Sequence, residues 1–453
     1  MSTADPQSRR IRASSLARAL VLSTVLTALA SPAAQADWSA PQTLVRPPLF
    51  DALRIDGADN AGGAEAFAWF HTTRAMRRDP KGRGGYLRYV RARTRTAGGS
   101  LSAIRTVSRT DVIVDGPLVG IDREATTTVA WQEFRRGDRR PRVMAAVARP
   151  GRRFGAPIAL GRGSADVDAG FAFVGSHLPS PLVVAADASA VLAWNDGHRI
   201  VGVRRAAGRC PSHDRRACFG ALKVLSRAAQ PIEGPAAAIA ADGSAYVAWS
   251  DGLARLVSAR RGRAFGAPRR VSPIGRPASR VVLAAGAGGN ALIAWRGAPA
   301  DSGIETGLGP VMAAVGDAHG AVSAAQTVDP GQADAVDAGT NAQGEAILRW
   351  RRQGADQEEV LAAVRLPGGL FGAPVRIGSV RGDGELAYRQ LAIDGSGRSI
   401  IGVGESAVLR PAGASFGAPI GLPGNRQLIS AGSRFTTLWT AGGAVRLGDL
   451  GPG

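Results

Sequence analysis

Residues 234–273 read GPAAAIAADGSAYVAWSDGLARLVSARRGRAFGAPRRVSP. The stretch opens with an apolar run, Ala236–Ala240, and a turn, Ala241-Asp242-Gly243. A second run, Tyr246–Trp249, and a third, Leu256–Ala259, follow; Arg260–Arg263 turns before a fourth, Phe265–Val271. Runs this short, rich in Val, Ala and Ile and divided by Gly/Asp turns, predict four strands in an antiparallel meander.

The unit recurs. Phe265-Gly266-Ala267-Pro268 has copies starting at Phe154, Phe371 and Phe416, and at Phe219 with Leu222 in place of Pro. Looser copies start at Trp38, Leu101 and Val322. In all eight, the residue six further on is aliphatic: Leu44, Val107, Leu160, Leu225, Val271, Val328, Ile377 and Leu422. Between these units lies a strand pattern ending in Trp69, Trp131, Trp194, Trp249, Trp295, Trp350 or Trp439, with Val403 in the same place in one copy. Gly stands six residues earlier at Gly63, Gly243, Gly289, Gly344 and Gly397. No long segment beyond the first forty residues has helical periodicity.

Four strands per repeat, at spacings of 45 to 65 residues, predict an all-β chain folded as a single β-propeller. Eight four-stranded blades is the expected count, with seven the alternative. The ends are complementary: the chain after residue 36 opens with a fourth-strand unit at Trp38 and closes after three strands, Gln427–Ala431, Thr436–Trp439 and Ala444–Leu450. The amino-terminal strand is therefore expected to complete the last blade. Trp and Phe are expected between blades, in the core.

The paired motifs, Gly-x-Ala-x-x-x-Trp and Trp/Phe-x-x-Pro-x-x-Leu, resemble the blades of secreted bacterial β-propeller repeat proteins over residues 37–453. Sialidase-type propellers are a more distant resemblance. Their Ser-x-Asp-x-Gly-x-x-Trp box is missing, because Gly here lies six residues before Trp rather than three. Their Phe-Arg-Ile-Pro element is also absent, so their arginine-triad chemistry is not carried over.

The first residues read as an export signal. Arg9, Arg10, Arg12 and Arg18 precede an uncharged run, Ala19–Ala30, and Ala34-Gln35-Ala36 offers a small-x-small cleavage site. Residues 1–36 are expected to be a cleaved signal peptide, by the general or the twin-arginine route, leaving a propeller of residues 37–453. The expected location is secreted, extracellular or in the cell envelope. Nothing later is apolar enough to cross a membrane as a helix, and a monomer is expected.

The 453 residues carry 56 Lys+Arg against 36 Asp+Glu, a formal net charge of +20. Residues 37–300 hold 40 basic and 20 acidic groups, and residues 301–453 hold 12 and 15. This asymmetry suggests a basic face. Two connections that follow a Trp strand are long and basic. His71–Gly85 carries Arg74, Arg77, Arg78, Lys81 and Arg83; Gln132–Arg142 carries Arg135, Arg136, Arg139, Arg140 and Arg142. Arg91, Arg93 and Arg95 share one face of the next strand by two-residue alternation.

The largest insertion, Gly161–Pro181, holds Asp166, Asp168, Phe171, Phe173 and His177, which suit a sugar or cation site or simply a surface loop. Cys210 and Cys218, the only two cysteines, are expected to pair as a small-loop disulfide. No metal-ligand cluster, phosphate loop or dinucleotide fingerprint occurs, and no cofactor is expected. Gly413-Ala414-Ser415-Phe416-Gly417 matches a nucleophile elbow but precedes a repeat strand instead of joining strand to helix. Arg136-Gly137-Asp138 and Arg381-Gly382-Asp383 spell the adhesion tripeptide, a weak signal in an Arg-rich chain.

Three functions remain open at this point. The first is an exported, non-catalytic propeller binding an anionic polymer or an unknown protein partner, since clustered Arg suits carboxylate and phosphate. The second is a carbohydrate-active, sialidase-like enzyme with a site at the propeller axis. The third is a structural cell-surface module.

Overall fold

In the computed structural model the stretch around Trp249 is a four-stranded antiparallel meander: Glu233–Ile239, Ala245–Ser250, Ala254–Ala259 and Arg269–Arg270. The structure describes residues 38–46, 55–72, 88–110, 113–135, 138–164, 181–208, 218–226, 233–297, 308–354, 356–380, 390–422, 427–441 and 444–451. Across them the same meander recurs, and helix is confined to short 3-10 turns such as Ala287–Gly289.

The first strands are Ile55–Asp59, Ile113–Ile121, Leu182–Val184, Glu233–Ile239, Ala278–Ala285, the later part of Gln326–Thr340, Leu391–Ile393 and Gln427–Ala431. The second strands are Glu65–Thr72, Thr127–Phe134, Ala190–Asn195, Ala245–Ser250, Asn290–Gly297, Ala346–Gln353, Ser399–Val403 and Arg434–Ala441. The third are Arg88–Arg95, Arg142–Ala148, Ile200–Arg205, Ala254–Ala259, Gly309–Asp317, Glu358–Arg365, Ser406–Arg410 and Ala444–Leu450. The fourth are Arg105–Thr106, Ile158–Arg162, Lys223–Val224, Arg269–Arg270, the early part of Gln326–Thr340, Val375–Val380, Pro419–Gly421 and, from the other end of the chain, Gln42–Val45. Gln42–Val45 pairs antiparallel with Ala444–Leu450, and Trp38 bridges to Leu450.

One sheet departs from the expected separation. Gln326–Thr340 pairs through Gln326–Ala333 with the fifth repeat and through Ala333–Thr340 with the sixth, giving a seven-stranded sheet. Pro330-Gly331 bends the strand without breaking it, and Asp329 Oδ1 accepts the Gly331 amide at 2.8 Å.

The Phe-Gly-Ala-Pro element also differs from its reading as strand. Phe265–Pro268 leads into a strand of two residues. The Gly donates to a third-strand carbonyl in five repeats: Gly155 to Val147, Gly220 to Arg204, Gly266 to Ser258, Gly372 to Val364 and Gly417 to Leu409, all at 2.7–3.0 Å. Pro, lacking an N–H, cannot continue that ladder. The ladder resumes where the aliphatic residue arrives: Val107 donates to Val90, Leu225 to Ile200 and Val271 to Ala254.

Neighbouring first strands touch in sequence order through all eight positions, and Gln427–Ala431 touches Ile55–Asp59. The core lies between repeats, in seven apolar clusters that each draw on two consecutive ones. Each cluster receives the tryptophan position of its later repeat, with Trp69 sharing a cluster with Leu438 and Leu447 of the last sheet and Val403 standing in for Trp in the seventh repeat. At Trp194, space for the indole comes from a glycine on the preceding sheet. A Cβ on Gly161 would sit 2.8 Å from the Trp194 ring.

Turns between first and second strands need a left-handed residue six before the Trp position. Gly63, Gly243, Gly289, Gly344 and Gly397 have φ from 71° to 93° there, while Ala125 and Ala188 hold 60° and 66° in the second and third repeats. A methyl at such φ is strained.

These turns touch from sheet to sheet. Asn60 Nδ2 donates to Asp122 O at 2.7 Å, Arg123 N to Ala186 O at 3.2 Å, and Arg261 pairs with Asp187 at 2.7 Å. Tyr246 donates to Gly289 O, Thr340 Oγ1 to Ala285 O at 2.7 Å, and Arg410 pairs with Glu345 at 2.7 Å. Arg398 donates to Ser433 O, and Arg434 Nη2 to Gly63 O at 2.9 Å. The last repeat is thus tied to both the seventh and the first.

Candidate functional site

Antiparallel pairing sends alternate connections to opposite ends of a sheet. Second-to-third and fourth-to-first connections emerge at one end; first-to-second turns and third-to-fourth hairpins emerge at the other. The basic connections expected to bind belong to the first kind.

The described part of this basic region surrounds the Thr127–Phe134 to Arg142–Ala148 connection. Arg135 Nε donates to Glu133 Oε1 at 2.8 Å, and Arg142 Nε and Arg162 Nη1 each lie 3.4 Å from Asp138 Oδ2. Arg140 Nε donates to Gly163 O at 3.0 Å, and Arg162 Nη1 to Arg140 O at 3.2 Å. Arg139 is exposed. Three guanidiniums, those of Arg135, Arg142 and Arg162, therefore lie against the two carboxylates Glu133 and Asp138, while Arg140 binds the Gly163 carbonyl beside them. Strand Ile158–Arg162 is anchored below by the Trp194 indole, which donates to Arg162 O at 2.8 Å. The cluster reaches the third sheet, since Arg140 Nη2 would be 3.5 Å from a Cβ on Gly197. Such an array presents planar donors suited to carboxylate, sulfate or phosphate oxygens.

Arg142 and Gln132–Phe134 are strand residues, so the connection is shorter than its sequence reading, and His71 likewise belongs to strand Glu65–Thr72. Arg74, Arg77, Arg78, Lys81, Arg83 and Arg136 lie outside the described residues, as do Asp166, Asp168, Phe171, Phe173 and His177. Cys218 is buried in the cluster with Phe219 between the second and third sheets, and Cys210 lies outside the described residues. Asp138, the acid of one Arg-Gly-Asp, is held by Arg142 and Arg162; the other tripeptide falls outside.

Arg91, Arg93 and Arg95 do share a strand face, but they serve the fold. Arg93 Nη1 donates to Leu44 O at 2.6 Å, and Arg95 is buried against Glu65, Thr436 and Asp449. Arg91 stacks over Tyr89 at 5.2 Å and donates to its hydroxyl at 3.0 Å. His71 packs against the same Tyr89 ring at 4.9 Å. Burial, then the charge of Arg91, holds His71 below its ordinary pKa. It is a neutral packing group near pH 7.

A serine after the aliphatic residue escaped the sequence reading. Ser108, Ser226 and Ser272 Oγ accept the amides of Val90, Ile200 and Ala254 at 2.9, 2.9 and 3.1 Å, capping the start of the third strand. The signal was an aliphatic-Ser dipeptide in three repeats. No group of three or more potential metal ligands occurs among the described residues, and no helix among them is long and apolar enough to cross a membrane.

Together these sheets define an all-β, propeller-like protein. No protein-family model matches the chain, and no curated protein is similar to it. Among solved structures it is similar to a lectin from Burkholderia pseudomallei, with 10% identity, a TM-score of 0.46, and 82% of this chain and 99% of that chain covered. An ulvan lyase, described as a new family of polysaccharide lyase, has 10% identity and a TM-score of 0.44, with 86% and 97% covered. A Hadza microbial sialidase has 10% identity and a TM-score of 0.36, with 81% and 65% covered. Likeness at this level carries no ligand or reaction to this chain.

Proposed function

We propose that this chain is an exported, non-catalytic propeller of eight blades that binds an anionic polymer through the end bearing its long connections. The eight-blade reading is supported by eight first strands that each touch the next, by Gln326–Thr340 pairing with both the fifth and the sixth repeat, and by Gln42–Val45 pairing with Ala444–Leu450.

The observation that supports the binding reading is the Arg excess of this one connection: Arg135, Arg142 and Arg162 share Glu133 and Asp138, Arg140 binds the neighbouring Gly163 carbonyl, and Arg139 is exposed beside them. The connection leaving Thr72 and returning at Arg88 starts from the same end of the adjoining sheet and adds Arg74, Arg77, Arg78, Lys81 and Arg83 against Asp79. A polymer bearing regularly spaced carboxylate, sulfate or phosphate can engage several guanidiniums at once, which steers and strengthens association.

Salt-dependent retention on an immobilised sulfated polysaccharide tests this reading: the parent should be retained to higher salt than a variant with Arg74, Arg77, Arg78 and Arg139 replaced by Ser. Export is tested by mass spectrometry of unreduced secreted protein. The mature chain should begin at Asp37 and contain Cys210 joined to Cys218; free thiols or an uncleaved chain would count against it.

A further inference from the structure

Three first strands carry the same irregularity near the end that bears the basic connections. Each sets two residues against the single tryptophan of its second strand: Gly116-Pro117 against Trp131, Gly234-Pro235 against Trp249, and Arg280-Val281 against Trp295. Gly116 takes a left-handed φ of 57° in its bulge, and Arg280 takes 53° at the same place in the fifth repeat. An arginine is strained there, because its Cβ crowds the backbone at positive φ.

The fold does not call for a side chain at this position. Gly116 and Gly234 are buried in the corresponding bulges, and their strands pair around them in the same register. Val281, the other bulged residue, is 2% exposed and joins the core between the fourth and fifth repeats. Arg280 is half-buried, so the bulge turns Val281 inward and leaves part of the Arg280 side chain accessible. Bulges often re-aim a side chain in this way, and strain kept at such a place points to function.

The surroundings are basic as well. The connection entering this strand carries Arg276, which is exposed. Ser279, the residue before Arg280, accepts Arg296 Nε at 2.9 Å, and Arg296 and Arg351 share the Asp334 carboxylate. The strand itself, Ala278–Ala285, touches the first strands of the fourth and sixth repeats.

We propose that Arg280 is a further contact for the anionic polymer, which runs from the basic connections of the first two repeats across the first strands to the fifth repeat. The inference rests on the polymer-binding reading and narrows the partner to a long chain. A short oligomer engages one point or the other; only a long chain engages both and gains from their linkage. A guanidinium suits the carboxylate, sulfate or phosphate groups of such a chain.

The test measures binding of a sulfated polysaccharide, as long chains and as tetrasaccharide, to the mature protein by titration calorimetry, with urea denaturation alongside. Arg280→Gly should move two readouts in opposite directions. The denaturation midpoint rises as strain is relieved, and affinity for long chains falls about fivefold. Arg280→Gln, which keeps the strained backbone, should lose the same affinity with no gain in midpoint. Arg263→Gln, which removes an exposed charge from the opposite end, should bind as the parent does. Tetrasaccharide should bind the parent and Arg280→Gly alike, through the basic connections.

The proposal is overturned if Arg280→Gly unfolds more easily than the parent, since the arginine would then serve the fold. It is overturned equally if that variant binds long chains as the parent does, if tetrasaccharide binding falls in parallel, or if Arg263→Gln loses as much. A parent that binds neither length overturns the polymer-binding reading itself, a result distinct from all of these.

Discussion

Arg95 and Asp449 stand 354 residues apart in the chain and share two hydrogen bonds, Nη1 to Oδ2 at 2.9 Å and Nη2 to Oδ1 at 2.6 Å. The same guanidinium bonds Glu65 through Nε and Thr436 through Nη2. Arg95 is 1% exposed and Glu65 fully buried. Burial alone would lower the Arg95 pKa, but hydrogen bonds and charge from the two carboxylates hold it above its ordinary value. The first and last sheets are thus joined by a buried ionic cluster as well as by the apolar cluster that Trp69 shares with Leu438 and Leu447.

Removing the cation should therefore be severe. Arg95→Met leaves the Glu65 carboxylate buried beside only Arg434, at 3.3 Å, and breaking a buried pair costs about 3–5 kcal/mol. Urea denaturation should report that loss, and Arg95→Met/Glu65→Leu should recover most of it. A loss under about 1 kcal/mol would place the cluster among weak surface pairs.

The strained turns make the opposite prediction. Ala125→Gly and Ala188→Gly should each raise stability. Left-handed backbone costs a non-glycine residue roughly 1–2 kcal/mol, and the extra unfolded-state entropy of Gly returns about 0.5–1 of it. A gain of up to about 1 kcal/mol per site is expected from the denaturation midpoint. Destabilisation at Ala125 would contradict the strain argument.

Acid should loosen the seventh repeat. Burial pushes the Asp394 carboxyl up, but hydrogen bonds from Ser396 and Arg398, then the Arg398 charge, outweigh it and hold the pKa below the ordinary value. A depressed carboxylate adds stability that is present above its unfolded pKa, about 4, and is lost as pH falls through the lower folded value. Asp394→Asn should be less stable than the parent at neutral pH, and the difference should shrink as pH drops below about 4. A difference that stays constant down to about pH 2 would remove Asp394 from the acid response.

The repeat was readable because its physics is local. Turn glycines need a particular φ, the Trp position fills a fixed gap, and both recur at fixed spacing, so Val403 could be placed without its Trp. What escaped was set by distant partners. Two-residue alternation put Arg91, Arg93 and Arg95 on one face, yet nothing near them reveals Asp449 or the Leu44 carbonyl. Pro330-Gly331 reads as a break, and only pairing on both sides keeps Gln326–Thr340 one strand. The basic connections were visible as charge, whereas the strained Arg280 bulge shows only in the pairing of its strand with Asn290–Gly297.

Affinity for a polyanion as a function of salt tests the central claim most directly. Each phosphate contact on duplex DNA adds about 0.9 to the log–log slope, and other dense polyanions follow in kind. The comparison sets Arg74, Arg77, Arg78 and Arg139, all to Ser, against Arg260, Arg263, Arg269 and Arg270, all to Ser. The second set is exposed and removes the same charge from the fourth repeat. The account predicts that the first variant loses most of the affinity and flattens the slope with its melting temperature nearly unchanged, while the second stays close to the parent. Equal losses from the two variants would mean attraction by net charge alone and would contradict a dedicated binding face.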